Sequence, residues 1–362
     1  MTVKEVIRFI SDELHKTTVG QEDFDKLVYL EDFVSTFDGD ANDLDRLSVE
    51  LQQLYTSESI STPNSSLSSN TEDLSARHLI IIKCLRKLLT LLGQERFVGD
   101  WWEPILKPLL CSQNRYRPLV NECNALILDA MSLENSDSTS PKPDFRKKIF
   151  EIYINQASPI LIDLSWLENV EKILLSYGSS HTKEFFNALN EYFLIQSSRI
   201  QVLTLLVNFL RRQDIHIHYI SQSPLLDSIM QSLLVDSSVT TITLGLTVTS
   251  MLLPHIVPIL PKLLPKLLAI IARALCWDRE KNSSIPKEAT LFPNWEVDES
   301  STDEDLIAPN ANMTFTFIYG LFPCNLLKYI TSPPAYAQFY QELNLGPPWM
   351  EEEVDTLRTK AQ

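Results

Sequence analysis

The sequence predicts an all-α protein, a HEAT-like helical-repeat solenoid of paired antiparallel helices. Three observations carry this expectation. Apolar residues recur at three- and four-residue spacing along nearly the whole chain, the period of helices with a buried face. The periodic segments follow one another with short turns, as in arrays of stacked helix pairs. Glycine is scarce, 8 in 362 residues, and no segment shows the alternation of a half-buried strand.

Taken in order, the spacing places helices at 3–14, 22–37, 44–55, 75–92, 101–111, 117–131, 144–157, 166–177, 182–196, 199–211, 225–234, 239–253, 261–277, 314–321, 325–330, 335–343 and 349–359. In 75–92, Leu79, Ile82, Leu85 (or Arg86), Leu89 and Leu92 form one stripe. In 199–211 the apolar set is broader, so that helix is expected to touch neighbours on two sides. The Thr/Val-rich run 239–253 has the β-branched content of a strand, but its length and context favour a helix. Three polar segments interrupt the pattern, at about 57–71, 134–143 and 282–310. They are expected to be flexible inserts hanging off one face of a single solenoid spanning 1–362. A chain of this size with 44% hydrophobic residues buries a large core.

Composition narrows the function. The net charge of −16 resides in the two ends and repels phosphates, which argues against a nucleic-acid partner. Without a GxGxxG or a phosphate-binding loop, no nucleotide cofactor is expected. The five cysteines are odd in number, widely spaced and lack a CxxC, as expected of reduced, buried thiols. His216 and His218 have no third ligand type near in sequence, so no metal is assigned. Asp38 to Asp43 imitates the start of a calcium loop, with Asp43 where Gly is needed and Val49 where a bidentate Glu is needed. Gly178-Ser179-Ser180-His181 lacks the second glycine of a nucleophile elbow and reads as a helix end with a turn. No catalytic residue is assigned. The competing reading is a hydrolase-type enzyme whose dispersed site only tertiary structure would assemble. Ser237–Pro261 is long enough to cross a bilayer, but its Thr, Ser and Pro content favours a buried helix.

Two features bear on partners. Lys262, Lys266 and Arg273 fall within about 40° of one another on a helix, and Arg211 and Arg212 could add to them. This stripe is either a solvated face or a contact for an acidic partner or anionic lipid headgroups. Thr62-Pro63 and Ser140-Pro141 lie in polar inserts where a proline-directed kinase could reach them. Ser158-Pro159 and Ser223-Pro224 adjoin dense helices and read as turns.

The most informative stretch is Thr314–Ile330. Phe315, Phe317, Ile318, Tyr319, Leu321 and Phe322 predict a mostly buried helix that stops before Pro323. Asn325 is expected to cap the next helix, and a charged residue at Leu321 or Pro323 is expected to destabilise the domain. The string Tyr319-Gly320-Leu321-Phe322-Pro323-Cys324-Asn325 resembles a corner motif of the hamartin family. The order upstream agrees: Leu189-Asn190-Glu191-Tyr192, the helix Arg199–Leu210, Ser223-Pro224-Leu225-Leu226, the run 239–253 and Leu275-Cys276-Trp277. The likeness covers about residues 180–345, while the first 175 share only helical character.

The resemblance implies a non-catalytic scaffold that stabilises tuberin, a GTPase-activating partner acting on the small GTPase Rheb, and so restrains TOR signalling. It further implies that the main tuberin contact lies beyond this fragment. The N-terminal region would serve assembly, with itself or other subunits, and peripheral recruitment from the cytoplasm to lysosomal, vacuolar or endosomal membranes. On the same ground the chain is expected to be an N-terminal piece of a longer protein.

Overall fold

The computed structural model describes residues 2–16, 28–60, 69–111, 116–133, 144–155, 164–212, 215–275, 277, 295–298 and 311–332. Among these residues every regular element is helical. The chain divides into two compact units, Met1–Tyr177 and Gly178–Gln362, where a single solenoid was expected.

The first unit contains α1 (Val3–Lys16), α2 (Val28–Thr36), α3 (Ala41–Ile60), α4 (Ser69–Arg96), a π-helical segment (Phe97–Leu106), α5 (Lys107–Cys111), α6 (Arg117–Ser132) and α7 (Phe145–Ile154), and it takes in most of α8 (Leu164–Ser180). Helix α4 is the hub: α1, α2, α3 and α6 all pack on it. The stripe residues Ile82, Leu85, Leu89 and Leu92 are buried, and so are Ile81, Cys84 and Leu88 on a second face. Arg86 adds polar ties to α6, to Asp129 at 2.5 Å and Glu122 at 3.1 Å. Gly93 interrupts α4 with φ of 71°, a left-handed conformation that glycine adopts without Cβ strain. The wide turns that follow bury Phe97, Trp101, Trp102, Ile105 and Leu106. Trp102 meets Phe145 edge-on at 5.4 Å and Trp166 at 6.2 Å, arrangements that the ring quadrupole favours. Trp101 Nε1 donates to Ser48 Oγ at 3.1 Å, and that hydroxyl donates to Asp100 at 2.7 Å.

The second unit begins at the end of α8 and contains α9 (Thr182–Phe193), α10 (Arg199–Arg211), a 3₁₀ segment (Ile215–Gln222), α11 (Leu225–Val235), α12 (Val239–Leu252), α13 (Leu260–Leu275), α14 (Asn312–Leu321) and α15 (Pro323–Thr331). Alternate helices are neighbours. α9 packs on α11 and α11 on α13, while α10 packs on α12 and α12 on α14. Successive pairs, α9 with α10 and α11 with α12, join the two rows. This two-layer order is that of an α-helical repeat. The broad apolar face of α10 is satisfied on two sides, by α9 and α12. Helix α12 starts at Ser238, whose side chain accepts from the Thr241 amide. Its β-branched residues form a helix because both of its sides are packed.

Expected boundaries shift in physically readable ways. Residues 57–60 and 69–71 extend α3 and α4, so the insert expected at 57–71 is narrower at both ends. The remainder of that insert, the one at 134–143, and the helices expected at 335–343 and 349–359 lie outside the described residues, as do Thr62, Ser140 and Ser158. No single described helix is long and apolar enough to cross a membrane. The candidate span 237–261 divides at residue 256, and α12 and α13 diverge by 97° across the break.

Gly178 marks a tight crossing in the second unit: a Cβ there would meet Phe209 at 2.9 Å and Phe185 at 3.0 Å. Those rings lock one another, with centroids 5.0 Å apart, and have little room to yield. Gly178→Ala is expected to lower unfolding stability by about 1–3 kcal/mol through overpacking, read as a lower urea midpoint at unchanged slope.

Candidate functional site

The most organised polar constellation lies in the second unit, around two charges removed from water. Arg199 opens α10 and Asp236 ends α11, and their side chains pair at 2.9 Å with 0% exposure on both. Arg199 also donates from Nε to the Phe193 carbonyl at 3.2 Å, at the end of α9. The Asp236 carboxylate accepts from Ser232 Oγ at 2.6 Å. Burial pushes the Asp236 carboxyl up, against the hydrogen bonds from Ser232 and Trp295 and the charge of Arg199. The same desolvation pushes the Arg199 guanidinium down, against the attraction of Asp236 and Asp298.

The remaining partners come from residues 295–298, inside the segment expected to hang free. Trp295 lies against Arg199, its ring centroid 4.2 Å from the guanidinium carbon, and its Nε1 donates to Asp236 at 2.9 Å. The Asp298 amide donates to the same carboxylate oxygen at 3.1 Å. The Asp298 carbonyl accepts from the Ser237 and Ser238 amides at 2.9 and 3.0 Å, and its carboxylate accepts from Thr241 Oγ1 at 2.5 Å. The expectation of an insert detached from the stack is therefore corrected for these four residues. Open amides at the start of α12 and an unsaturated buried carboxylate draw the segment in. Sequence reasoning missed these contacts, although Leu291, Phe292, Trp295 and Val297 are apolar residues within the segment.

The basic stripe is taken up within the fold. Arg273 donates to the carbonyls of Leu233 and Asp236 at 2.8 and 2.7 Å, closing the C-terminus of α11, and its guanidinium stands 5.1 Å from the Trp277 ring. Lys266 pairs with Asp227 at 3.3 Å. A free three-residue stripe is thus corrected, because two of its members answer charges and carbonyls of α11. Lys262, Arg211 and Arg212 are exposed. Beyond α10, Ile215 is 86% exposed, His216 stacks on Tyr219 with centroids 5.5 Å apart, and Lys183 lies 4.6 Å from that ring.

At the corner, α14 stops at Leu321 and α15 starts at Pro323 with no loop, as the spacing predicted. The burial expected there is not found. Thr314 and Ile318 of α14 and Leu326 and Tyr329 of α15 are buried, whereas Tyr319 is 50% and Leu321 51% exposed. Gly320, Pro323 and Cys324 are exposed as well, and Phe322 and Asn325 are half-buried. The Asn325 cap is also corrected: Pro323 occupies the first turn and Asn325 lies inside the helix, since proline suits a position whose amide would be unpaired. Thr314 fastens α14 to α12 through Ser250 at 2.8 Å. Beside it, Ile271, Ala272, Leu275, Phe315, Leu326, Tyr329 and Ile330 line a shallow apolar dimple. Of the thiols, Cys84 and Cys123 are buried, and burial pushes each up to about 12; Cys324 is exposed, against expectation. Among the described residues no group of three His, Cys, Asp or Glu is placed to hold a metal ion.

A family profile described as the hamartin N-terminal domain matches residues 127–341. The tuberous sclerosis 1 protein homolog of Schizosaccharomyces pombe is 24% identical over 303 residues, covering 72% of this chain and 33% of that protein. Hamartin of Mus musculus is 25% identical over 217 residues, covering 58% of this chain and 17% of its own length. The chain thus spans a third or less of these curated relatives. A solved TSC1 N-terminal domain superposes with a TM-score of 0.64 at 23% identity, covering 99% of this chain and 94% of that one.

Asp236→Ala would leave Arg199 buried and unpaired, with an expected loss of about 3–5 kcal/mol in unfolding stability, read by urea denaturation. At the corner, Leu321→Glu is expected to change stability by less than about 0.5 kcal/mol. Ile318→Glu, by contrast, is expected to cost more than about 3 kcal/mol, since only that position buries the charge.

Proposed function

Because the chain belongs to the hamartin family, we propose that it is the N-terminal part of a non-catalytic scaffold that stabilises tuberin and so supports GTPase activation on Rheb, restraining TOR signalling. The observation that carries this reading is the family match across residues 127–341, which takes in the repeat helices α9 to α15. An α-helical repeat suits a scaffold because its rows of helices offer long surfaces without a closed pocket. In this reading the chief contact with tuberin lies beyond residue 362, and this part serves assembly and peripheral attachment to lysosomal, vacuolar or endosomal membranes.

Attachment to anionic lipid headgroups falls to Arg211, Arg212 and Lys262, which are exposed; Lys266 and Arg273 are engaged with α11. Each such cation contributes about 1 kcal/mol near an anionic surface, enough together for reversible binding. The overall charge of −16 opposes this at long range, and screening beyond about 8–10 Å lets the exposed cations act locally.

Reversing Arg211, Arg212 and Lys262 to Glu is expected to reduce sedimentation with phosphoinositide-containing vesicles at least ~10-fold while helicity by circular dichroism is unchanged. Equal binding of both proteins would overturn the membrane assignment. The scaffold assignment is tested separately, by co-purification of the full-length protein with tuberin. Failure to recover tuberin would overturn it.

A further inference from the structure

The four residues 295–298 lie on the second unit as an irregular strip whose exposure contrasts with what it covers. Arg199, Asp236 and Thr241 beneath it have no exposure, yet Glu296 is exposed and Trp295, Val297 and Asp298 are only half-buried. The strip is therefore a thin cover over a desolvated ion pair. The cleft it fills reads two side chains and the backbone between them. The indole is gripped on its face by Arg199, on its N–H by Asp236 and at one edge by Phe193, 6.2 Å between centroids. The carboxylate three residues later meets Thr241 Oγ1 at 2.5 Å and Gln196 Nε2 at 3.5 Å. The Asp298 backbone is read on both sides, its N–H by the Asp236 carboxylate and its C=O by the Ser237 and Ser238 amides just ahead of α12. Hydrogen bonding at both backbone groups, with side-chain anchors at intervals, is how proteins recognise extended peptides.

We propose that this cleft is a peptide-recognition site for an extended partner segment carrying a Trp and, three residues on, an Asp, and that residues 295–298 are its releasable intramolecular ligand. The energetics favour exchange. The strip is held by polar contacts and one stacked ring, and its release returns water to two charges whose desolvation opposes the pair. Tethering gives the strip a high effective concentration, so a partner segment must bind in competition with it.

The first measurement needs no substitution. In native-state hydrogen exchange on the whole chain, the Ser237 and Ser238 amides, whose acceptor belongs to the strip, are expected to exchange at least ~100-fold faster than the core amides of α10. Exchange at the same rate as α10 would show that the strip leaves only on global unfolding, and would overturn the proposal. The second measurement uses a fluorescent peptide of residues 291–302 in anisotropy titrations. It is expected to bind a Trp295→Ala, Asp298→Ala chain at least ~10-fold more tightly than the wild type, whose site is filled. A peptide with Ala at both anchors is expected not to bind. If the emptied chain keeps wild-type helicity and ignores the peptide, the site does not exist. If the wild type forms concentration-dependent dimers abolished by the same double substitution, the occupant is a second copy, and the partner assignment falls.

Discussion

The second unit depends on two opposite charges, Arg199 and Asp236, meeting between its helix ends. A buried guanidinium or carboxylate is tolerated only when its hydrogen-bonding capacity is met from all sides. Meeting that demand draws five pieces of chain to one place. Arg199 comes from the start of α10, Phe193 from the end of α9, and Asp236 with Ser232 from the end of α11. The strip 295–298 covers the pair, and Arg273 of α13 caps the carbonyls of the turn that carries Asp236. An apolar pair of the same volume would hold the helices together equally well. The charges add direction: they require those two helix ends to meet, and they offer hydrogen-bonding groups to the polar strip on top.

The first unit solves its packing problem with aromatic mass. The break at Gly93 and the wide turns after it deliver two adjacent tryptophans to the interior, where a regular helix would spread neighbouring side chains by about 100°. Trp101 finds Ser48 for its indole nitrogen, and Trp102 packs among Phe145 and Trp166. Large rings at fixed angles define the positions of α3, α7 and α8 more narrowly than aliphatic side chains would. The ion pairs at the surface of this unit, such as Arg86 with Glu122, contribute little by comparison.

The exposed apolar residues at the α14–α15 corner fit a repeat architecture. A helix in the middle of a two-layer stack has neighbours on both sides, as α12 does in α10 and α14. Helix α14 rests on α12 through Thr314 and Ile318, and its other apolar side chains, Met313, Phe317, Tyr319 and Leu321, remain open. Density of apolar residues therefore indicated a helix correctly and burial incorrectly. Burial depends on how many faces have neighbours, which a stretch of sequence does not encode.

Helical periodicity by itself determined the fold class, the succession of helices and the junction at Pro323, because each rests on interactions within a few residues: turn-by-turn hydrogen bonding, side-chain spacing and the missing amide of proline. The hamartin likeness was legible for a similar reason, as a string of local features in fixed order. Tertiary structure alone decided which charges are working partners. Lys262, Lys266 and Arg273 share a face by spacing, yet Arg273 turns to the carbonyls of α11 and Lys266 to Asp227, residues about 40 positions away in sequence. Arg199 opens an expected helix, Asp236 lies between two expected helices and Trp295 falls within an expected insert. They meet across 37 to 59 residues of chain. A hydrogen bond between such distant positions leaves no period in the sequence, and only the packing of the helices brings its donor and acceptor together.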